Sequence, residues 1–507
     1  MNRPLRHVLT LLLGCFTILF VQLNRIQVFQ ADEIKENPAN TRTIQREFDQ
    51  PRATITTADG VVVAVSEPAT SGPFEHQRRY PEGELYAHTV GYVSFTIGAE
   101  GIERGYADAI TGRTPSQQLS DLTDLIDGQN DVGTVVLSLD DRLQRTARDA
   151  LGDRVGSVVA MDPRDGSVLA LWSYPSFDPN PLASNDSNDV NAAYSELLEA
   201  DGNPLRAAAY REIFFPGSTF KIVTAAAALD NDVATLTEPV WPTVTEYTPP
   251  LTTRPIRNFG GSSCGGDLAA ILARSCNAAF SQMAAEDLGP TRMVSAAEGF
   301  GFNADVPFDV PGGAASVFPT DYGAEVEAPT PDVPAGVYEN TPKLAQTAIG
   351  QNDVAATPLL MAMMVAAVAG DGSVPTPHAV AEIQRSDGST MSRVQPGPWR
   401  QATDAASAAD LRQALIGVVE GGTAASAAVP GLVVGAKTGT AQLGTDPPRS
   451  HAWIVGFAGR TEDEPEIVVA VLVESQVGSD QTGGRVAGPI AQQMFEAYFA
   501  DPDGDEN

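Results

Sequence analysis

Strand-like runs stand at both ends of the C-terminal two thirds of the chain, and nothing else in the sequence constrains the fold as much. "GSVVAMDPRDGSVLALW" reads as two apolar strands around the turn Asp162 to Gly166. Far downstream, "LVVGA", "AWIVGFAG" and "EIVVAVLVE" read as three more. Alanine-rich helical patterns lie between them, at Lys221 to Leu229, Leu268 to Ala273, Leu359 to Ala369 and Asp404 to Val419. Apolar strands must pair, so distant pieces meet in one sheet covered by helices, an α/β domain. "VAGPIAQQMFEAYF" reads as a closing helix. Pro181 to Asn203 and Pro319 to Asn340 read as surface loops, and "DPDGDEN" as a solvated tail.

The region from 24 to 150 has a different texture, polar and turn-rich. "ATITTADGVVVAVS" predicts a hairpin around Asp59-Gly60. "GTVVLSLDDRLQRTARDALGDR" predicts a strand, then a helix capped near Asp140. Ahead of this, basic "MNRPLRH" precedes an apolar run of 16 residues, Val8 to Leu23. That is slightly short for a membrane span, but flanking residues and bilayer thinning make up the difference. No convincing small-x-small cleavage site follows, so the expectation is an uncleaved signal anchor, N-terminus inside. The expected partition is 1–23 anchor, 24–150 N-terminal non-catalytic domain, 151–500 catalytic domain and 501–507 acidic tail.

Composition narrows the function classes. A formal net charge of −32 argues against a nucleic-acid partner, which needs basic patches. The acidity itself reads either as a solubility device or as coding bias. Cys15 lies in the apolar run; Cys264 and Cys276 form an exported even pair and a disulfide candidate. Five scattered histidines and no Cys/His cluster give no support to a metal site or a Ser–His triad, and no cofactor is expected.

Chemistry enters through lysine. The chain has 32 basic residues, of which only Lys35, Lys221, Lys343 and Lys437 are lysines. In "FFPGSTFKIVTAAAALD", Ser218 and Lys221 are three apart at the head of a helical run. A serine hydroxyl needs a base to become a nucleophile. Arginine cannot serve, because its guanidinium keeps its proton; a lysine with a depressed pKa can. S-x-x-K alone is common by chance, and its bland reading is a surface lysine beside a capping serine. A second signal is "KTGTA", where Lys437, Thr438, Gly439 and Thr440 end an apolar strand and would line a cleft. A phosphate loop would need a glycine-rich lead that is missing. A third is "SCN", Ser275 to Asn277. In the order S-x-x-K, S-x-N, K-T-G the three are specific together.

On these residues the chain resembles the penicillin-binding proteins and serine β-lactamases, whose fold is an antiparallel sheet covered by helices. "AIGQNDVAATPLLMA" and "HAWIVGFAG" are similar to further segments of those enzymes. "QPRATITTADGVVVAVS" and "GAEGIERGYADAITG" resemble the non-catalytic region of class B penicillin-binding proteins, although Ala53 and Thr57 depart from its usual pattern. The layout is most similar to cell-division enzymes of high-GC Gram-positive bacteria.

The resemblance implies a peptidoglycan D,D-transpeptidase acting through a serine acyl-enzyme. Ser218 is then the nucleophile, Lys221 the base, Ser275 a proton relay and Asn277 the holder of the donor's amide. Lys437, Thr438 and Thr440 would face a terminal carboxylate, and the amides of Ser218 and Thr440 would form the oxyanion hole. Its implied partners are stem peptides on lipid-linked precursor strands, β-lactam antibiotics and division-machinery membrane proteins. Three alternatives stay open: a D,D-carboxypeptidase, a β-lactam-hydrolysing or -sensing enzyme, and a non-catalytic divisome scaffold.

Overall fold

A computed structural model describes residues 3–25, 48–114, 133–477 and 481–500. Its centre is a five-stranded sheet of β1 (Gly156–Met161), β2 (Val168–Tyr174), β3 (Val433–Gln442), β4 (Arg449–Gly459) and β5 (Pro465–Val477). The spatial order is β3-β4-β5-β1-β2, antiparallel throughout. The early and late runs therefore meet at the β1–β5 ladder, where Val158 faces Val471. β1 is buried at every position, as expected for a strand covered on both faces.

Helices form the two covering layers. One face carries α1 (Asp141–Leu151) and the C-terminal α7 (Gly488–Phe499). Asp140 caps α1, accepting from Leu143 N at 2.9 Å. The other face carries α5 (Pro358–Ala369), all twelve residues of which are buried. α2 (Lys221–Asp230) lies beyond it, beside α6 (Ala405–Gly421), with Lys221 to Leu229 buried. α5 is apolar on every side and α2 is buried on every side from Lys221 to Leu229, the pattern of helices inside a core rather than on a surface. Two short helices, α3 (Leu268–Ala273) and α4 (Asn277–Gln282), flank the head of α2.

The N-terminal part has its own six-stranded sheet, and its composition was not foreseen. Thr54–Thr56, Val62–Pro68, His76–Arg79 and Thr134–Leu137 are joined by Val380–Gln384 and Thr390–Arg393 from deep in the C-terminal part. With α1 packed on the central sheet, the division near residue 150 does not separate one sheet from the other. The expected hairpin forms, Ile55 facing Ala64. Thr57 closes its turn by accepting from Val61 N at 2.9 Å. A buried cluster ties this part together: Glu103 sits 2.8 Å from Arg52 and 2.6 Å from Arg78.

Two expectations are corrected. Pro181 to Asn203 is not all loop, because Ser187–Glu199 is helical with Asp186 as its cap. Buried Val190 forms a short apolar stripe with Ala193, Tyr194 and Leu197, which pack on the core, a helical pattern hidden in the sequence by the Ser, Asn and Asp residues ahead of it. The loop at 319–340 contains a small hairpin, Glu325–Glu327 with Val337–Tyr338. At the N-terminus Arg3–Asn24 is helical, yet among the described residues no helix is long and apolar enough to cross a membrane. The apolar run of 16 residues rises about 24 Å, against a hydrocarbon core of about 30 Å. The acidic tail lies outside the described residues.

Candidate active site

The site lies where α2, the α3–α4 turn and the edge strand β3 converge. Ser218 is in a 3₁₀ turn, Gly217–Phe220, that runs directly into α2 at Lys221. Sequence reasoning placed both on an α-helix. A 3₁₀ turn stacks residues i and i+3, so the lysine lies over the serine more directly than in an α-helix. Ser218 is half-buried and Lys221 is fully buried.

Packing fixes that turn. Phe220 stacks on Phe318 and meets Phe302 edge-on, each with ring centroids at 5.3 Å. Gly217 holds φ +55°, and its N–H donates to Gly350 O at 3.0 Å. A Cβ on Gly350 would come within 2.1 Å of Gly217 O, so only glycine allows this approach. A Cβ on Gly439 would meet Pro216 O at 2.7 Å. Trp453, opposite Gly439 on β4, donates from Nε1 to Phe215 O at 3.0 Å. The nucleophile turn is thus clamped against the K-T-G strand, with the Ser218 and Thr440 backbones on facing segments.

Lys221 Nζ reaches three oxygens: Ser275 O at 2.8 Å, Ser275 Oγ at 3.1 Å and Asn277 Oδ1 at 2.7 Å. The Phe280 ring centroid lies 5.6 Å away. Burial, and second the positive charge of Lys437, hold the Lys221 amine well below the ordinary lysine pKa. Burial pulls Lys437 down to about 7. Its Nζ donates to Thr438 O at 3.2 Å. Among the described residues no carboxylate shares an ion pair with either lysine, whereas Lys343 pairs with Asp353 at 2.9 Å. Two buried, unpaired amines are costly to keep as ammonium ions.

The other foreseen residues fall in place around them. Lys437 to Thr440 lie on β3, an edge strand, paired with Val455 to Ala452. Thr438 Oγ1 donates to Thr423 Oγ1 at 2.7 Å, and Thr440 Oγ1 accepts from Gly483 N at 3.4 Å. Cys264 and Cys276 are joined, Cα to Cα 5.6 Å, linking the strand Cys264–Gly266 to the turn that carries Ser275 and Asn277. Asn277 departs from its expected role in one respect. Both ends of its amide are engaged within the protein, Oδ1 by Lys221 and Nδ2 donating to Arg257 O at 2.9 Å. A substrate amide must compete with these partners.

Sequence reasoning missed Thr423, Asn258, Gly350 and Gly483 as parts of the site. Gly350 lies within "AIGQNDVAATPLLMA" but had no role assigned; the other three lie in no motif and are brought in by tertiary packing. No cluster of metal-ligating side chains occurs among the described residues.

A half-buried serine one 3₁₀ turn ahead of a buried amine, with a second buried amine on the neighbouring strand, is the arrangement of a serine acyl-transfer enzyme. The model of the penicillin-binding protein transpeptidase domain matches residues 156–496, and that of the penicillin-binding protein A dimerisation domain matches 52–136. The chain belongs to the penicillin-binding protein transpeptidase family. Within that family it is similar to the peptidoglycan D,D-transpeptidase PbpA of Mycolicibacterium smegmatis, with 33% identity over 98% of this chain and 99% of that protein. PbpA of Mycobacterium tuberculosis H37Rv is 34% identical over the same shares. The solved structure of penicillin-binding protein A from M. tuberculosis as a penicillin G acyl-enzyme superposes with a TM-score of 0.77 at 32% identity. It covers 89% of this chain and 100% of that one.

Proposed function

We propose that this protein is a peptidoglycan D,D-transpeptidase with Ser218 as nucleophile. The observation that carries this reading is Lys221: a fully buried amine, with no carboxylate partner among the described residues, one 3₁₀ turn beyond a half-buried serine. Kept neutral by burial and by Lys437, it can take the hydroxyl proton as Ser218 Oγ attacks the carbonyl between two terminal D-alanines. Charge developing on the carbonyl oxygen is received by the backbone N–H groups of Ser218 and Thr440, fixed before the reaction begins. Lys437 and the hydroxyls of Thr438 and Thr440 hold the terminal carboxylate; a carboxylate arriving there favours the ammonium form of Lys437. The C–N bond breaks, and the departing D-alanine amine receives its proton from Lys221 through Ser275 Oγ. An amine of a second stem peptide then attacks the ester and returns the hydroxyl to Ser218. β-Lactams follow the first half of this path.

The same reading places the chain at the outer face of the cytoplasmic membrane, working with membrane proteins of cell division. Its support is a helix with Arg3 and Arg6 at its head and exposed apolar side chains along it, Leu11 and Ile18 each 70% exposed.

Mass measurement on intact protein treated with penicillin G tests the chemistry. One stable adduct is expected, and none on Ser218→Ala. Rapid drug turnover would point instead to a β-lactamase. Donor hydrolysis without cross-linking, with acceptor amine present, would point to a D,D-carboxypeptidase.

A further inference from the structure

The α3–α4 turn carries both Ser275 and Asn277, and its second helix begins without a cap of its own. The first N–H groups of a helix need outside acceptors, usually a Ser, Thr, Asp or Asn side chain at the capping position. Here that position is Cys276, whose sulfur is committed to the bond with Cys264. The acceptor comes from elsewhere. Asn258, 3% exposed and 18 residues upstream of Cys276, accepts from Ala278 N through Oδ1 at 2.9 Å. Its Nδ2 donates to Val244 O at 2.8 Å and to Ser262 O at 3.1 Å. Those two carbonyls settle which way the Asn258 amide lies, since only its oxygen can then face Ala278. The preceding carbonyl, Arg257 O, takes the Asn277 Nδ2 proton at 2.9 Å and so turns Asn277 Oδ1 toward Lys221 Nζ.

We propose that Asn258 is a positioning residue for the acyl-transfer site: it caps α4 in trans and thereby holds Asn277 Oδ1 on Lys221. It touches neither substrate nor nucleophile and acts through Asn277. The inference rests on Lys221 being the base, as proposed above. If the cap is lost, α4 frays at Asn277, and Lys221 loses one of its three acceptors. An ammonium with fewer acceptors gives up its proton more readily, so the Lys221 pKa moves further down. Lys437, the charged neighbour that already lowers it, is unchanged.

The test is the second-order rate of penicillin G acylation, followed by intact mass from pH 5 to 10 and compared among the parent, Asn258→Ala and Asn258→Asp, with thermal unfolding of each. Asn258→Ala is expected to slow acylation by about 10²-fold, the usual cost of a small misplacement near the chemistry. Its acid limb is expected to move to lower pH. Asn258→Asp keeps an oxygen for Ala278 and is expected to retain more of the rate than Asn258→Ala. A purely structural role would lower thermal stability but leave the limb where it is. If Asn258→Ala does not fold, Asn258→Ser, with a shorter reach to Ala278, is expected to show the same displaced limb. Parent-like rate and limb in a folded Asn258→Ala or Asn258→Ser protein would overturn the inference. Failure of the proposed function looks different: the parent itself would not be acylated.

Discussion

Ser275 holds a left-handed backbone, φ +57°, and its carbonyl accepts from Lys221 Nζ at 2.8 Å. The conformation has a local cause. Ser275 N donates to Leu272 O at 3.1 Å and Cys276 N to Ile271 O at 2.9 Å, the paired bonds of a Schellman stop that closes α3. Glycine is the usual residue at this place, because an L side chain there costs about 1–2 kcal/mol. A serine kept at such a place points to its hydroxyl being used.

Ser275→Gly and Ser275→Ala separate strain from chemistry. Both lose the hydroxyl 3.1 Å from Lys221, and both should acylate at least about 10-fold more slowly. Only glycine relieves the backbone, so Ser275→Gly should be the more stable by about 1 kcal/mol, the reverse of the order in a helix interior. Urea unfolding measures the difference. Equal acylation in the parent and both variants would remove Ser275 from the proton path.

The depressed lysines make stability depend on pH. Burial holds Lys437 at about 7, whereas an unfolded lysine titrates near 10.4. Between these values the unfolded chain binds a proton that the folded chain does not. Unfolding free energy should therefore rise with pH from about 7 to about 10, then level off. Lys221 is shifted in the same direction. Lys437→Met should reduce the slope, and adding Lys221→Met should reduce it further. Urea unfolding at a series of pH values reads this; identical slopes in all three proteins would contradict it.

The disulfide closes a loop with a sequence separation of 12, next to Ser275 and Asn277. Replacing both Cys264 and Cys276 with serine should lower stability by about 3 kcal/mol. It should also slow acylation at temperatures where the protein stays folded, because the α3–α4 turn is released. Full activity in the folded double variant would confine the bridge to stability.

Glu103→Gln probes the N-terminal sheet. Burial pushes the Glu103 carboxyl up, but Arg78 and Arg52 outweigh it and leave the pKa below the ordinary value. Removing the charge strands two arginines, one of them buried, and should cost about 3–5 kcal/mol. The acylation rate of the folded fraction should be unchanged, since the cluster lies beside the other sheet.

The catalytic half of the fold was legible because its strands are continuous apolar runs and its two inner helices are rich in alanine and other apolar residues. The three motifs were legible because lysine is rare in this chain, so Lys221 and Lys437 stood out against arginine. Three features were not legible, each for a physical reason. The 3₁₀ form of the Ser218 turn follows from packing on Gly350 and Trp453, which no local pattern reports. The strands Val380–Gln384 and Thr390–Arg393 complete a sheet whose other members lie more than 240 residues away in sequence. Asn258 looks like any loop asparagine until the Cys264–Cys276 bond shows that Cys276 cannot cap α4.

The account turns on Lys221 being a base rather than a charge, and Lys221→Arg decides between the two. The replacement keeps the cation but cannot release its proton at working pH. The measurement is the second-order rate of penicillin G acylation of Ser218, followed by intact mass, with thermal unfolding confirming the fold. The predicted result is a fall of roughly 10² to 10⁴-fold, the contribution of a positioned general base. Near-parent acylation by a well-folded Lys221→Arg protein would contradict the account.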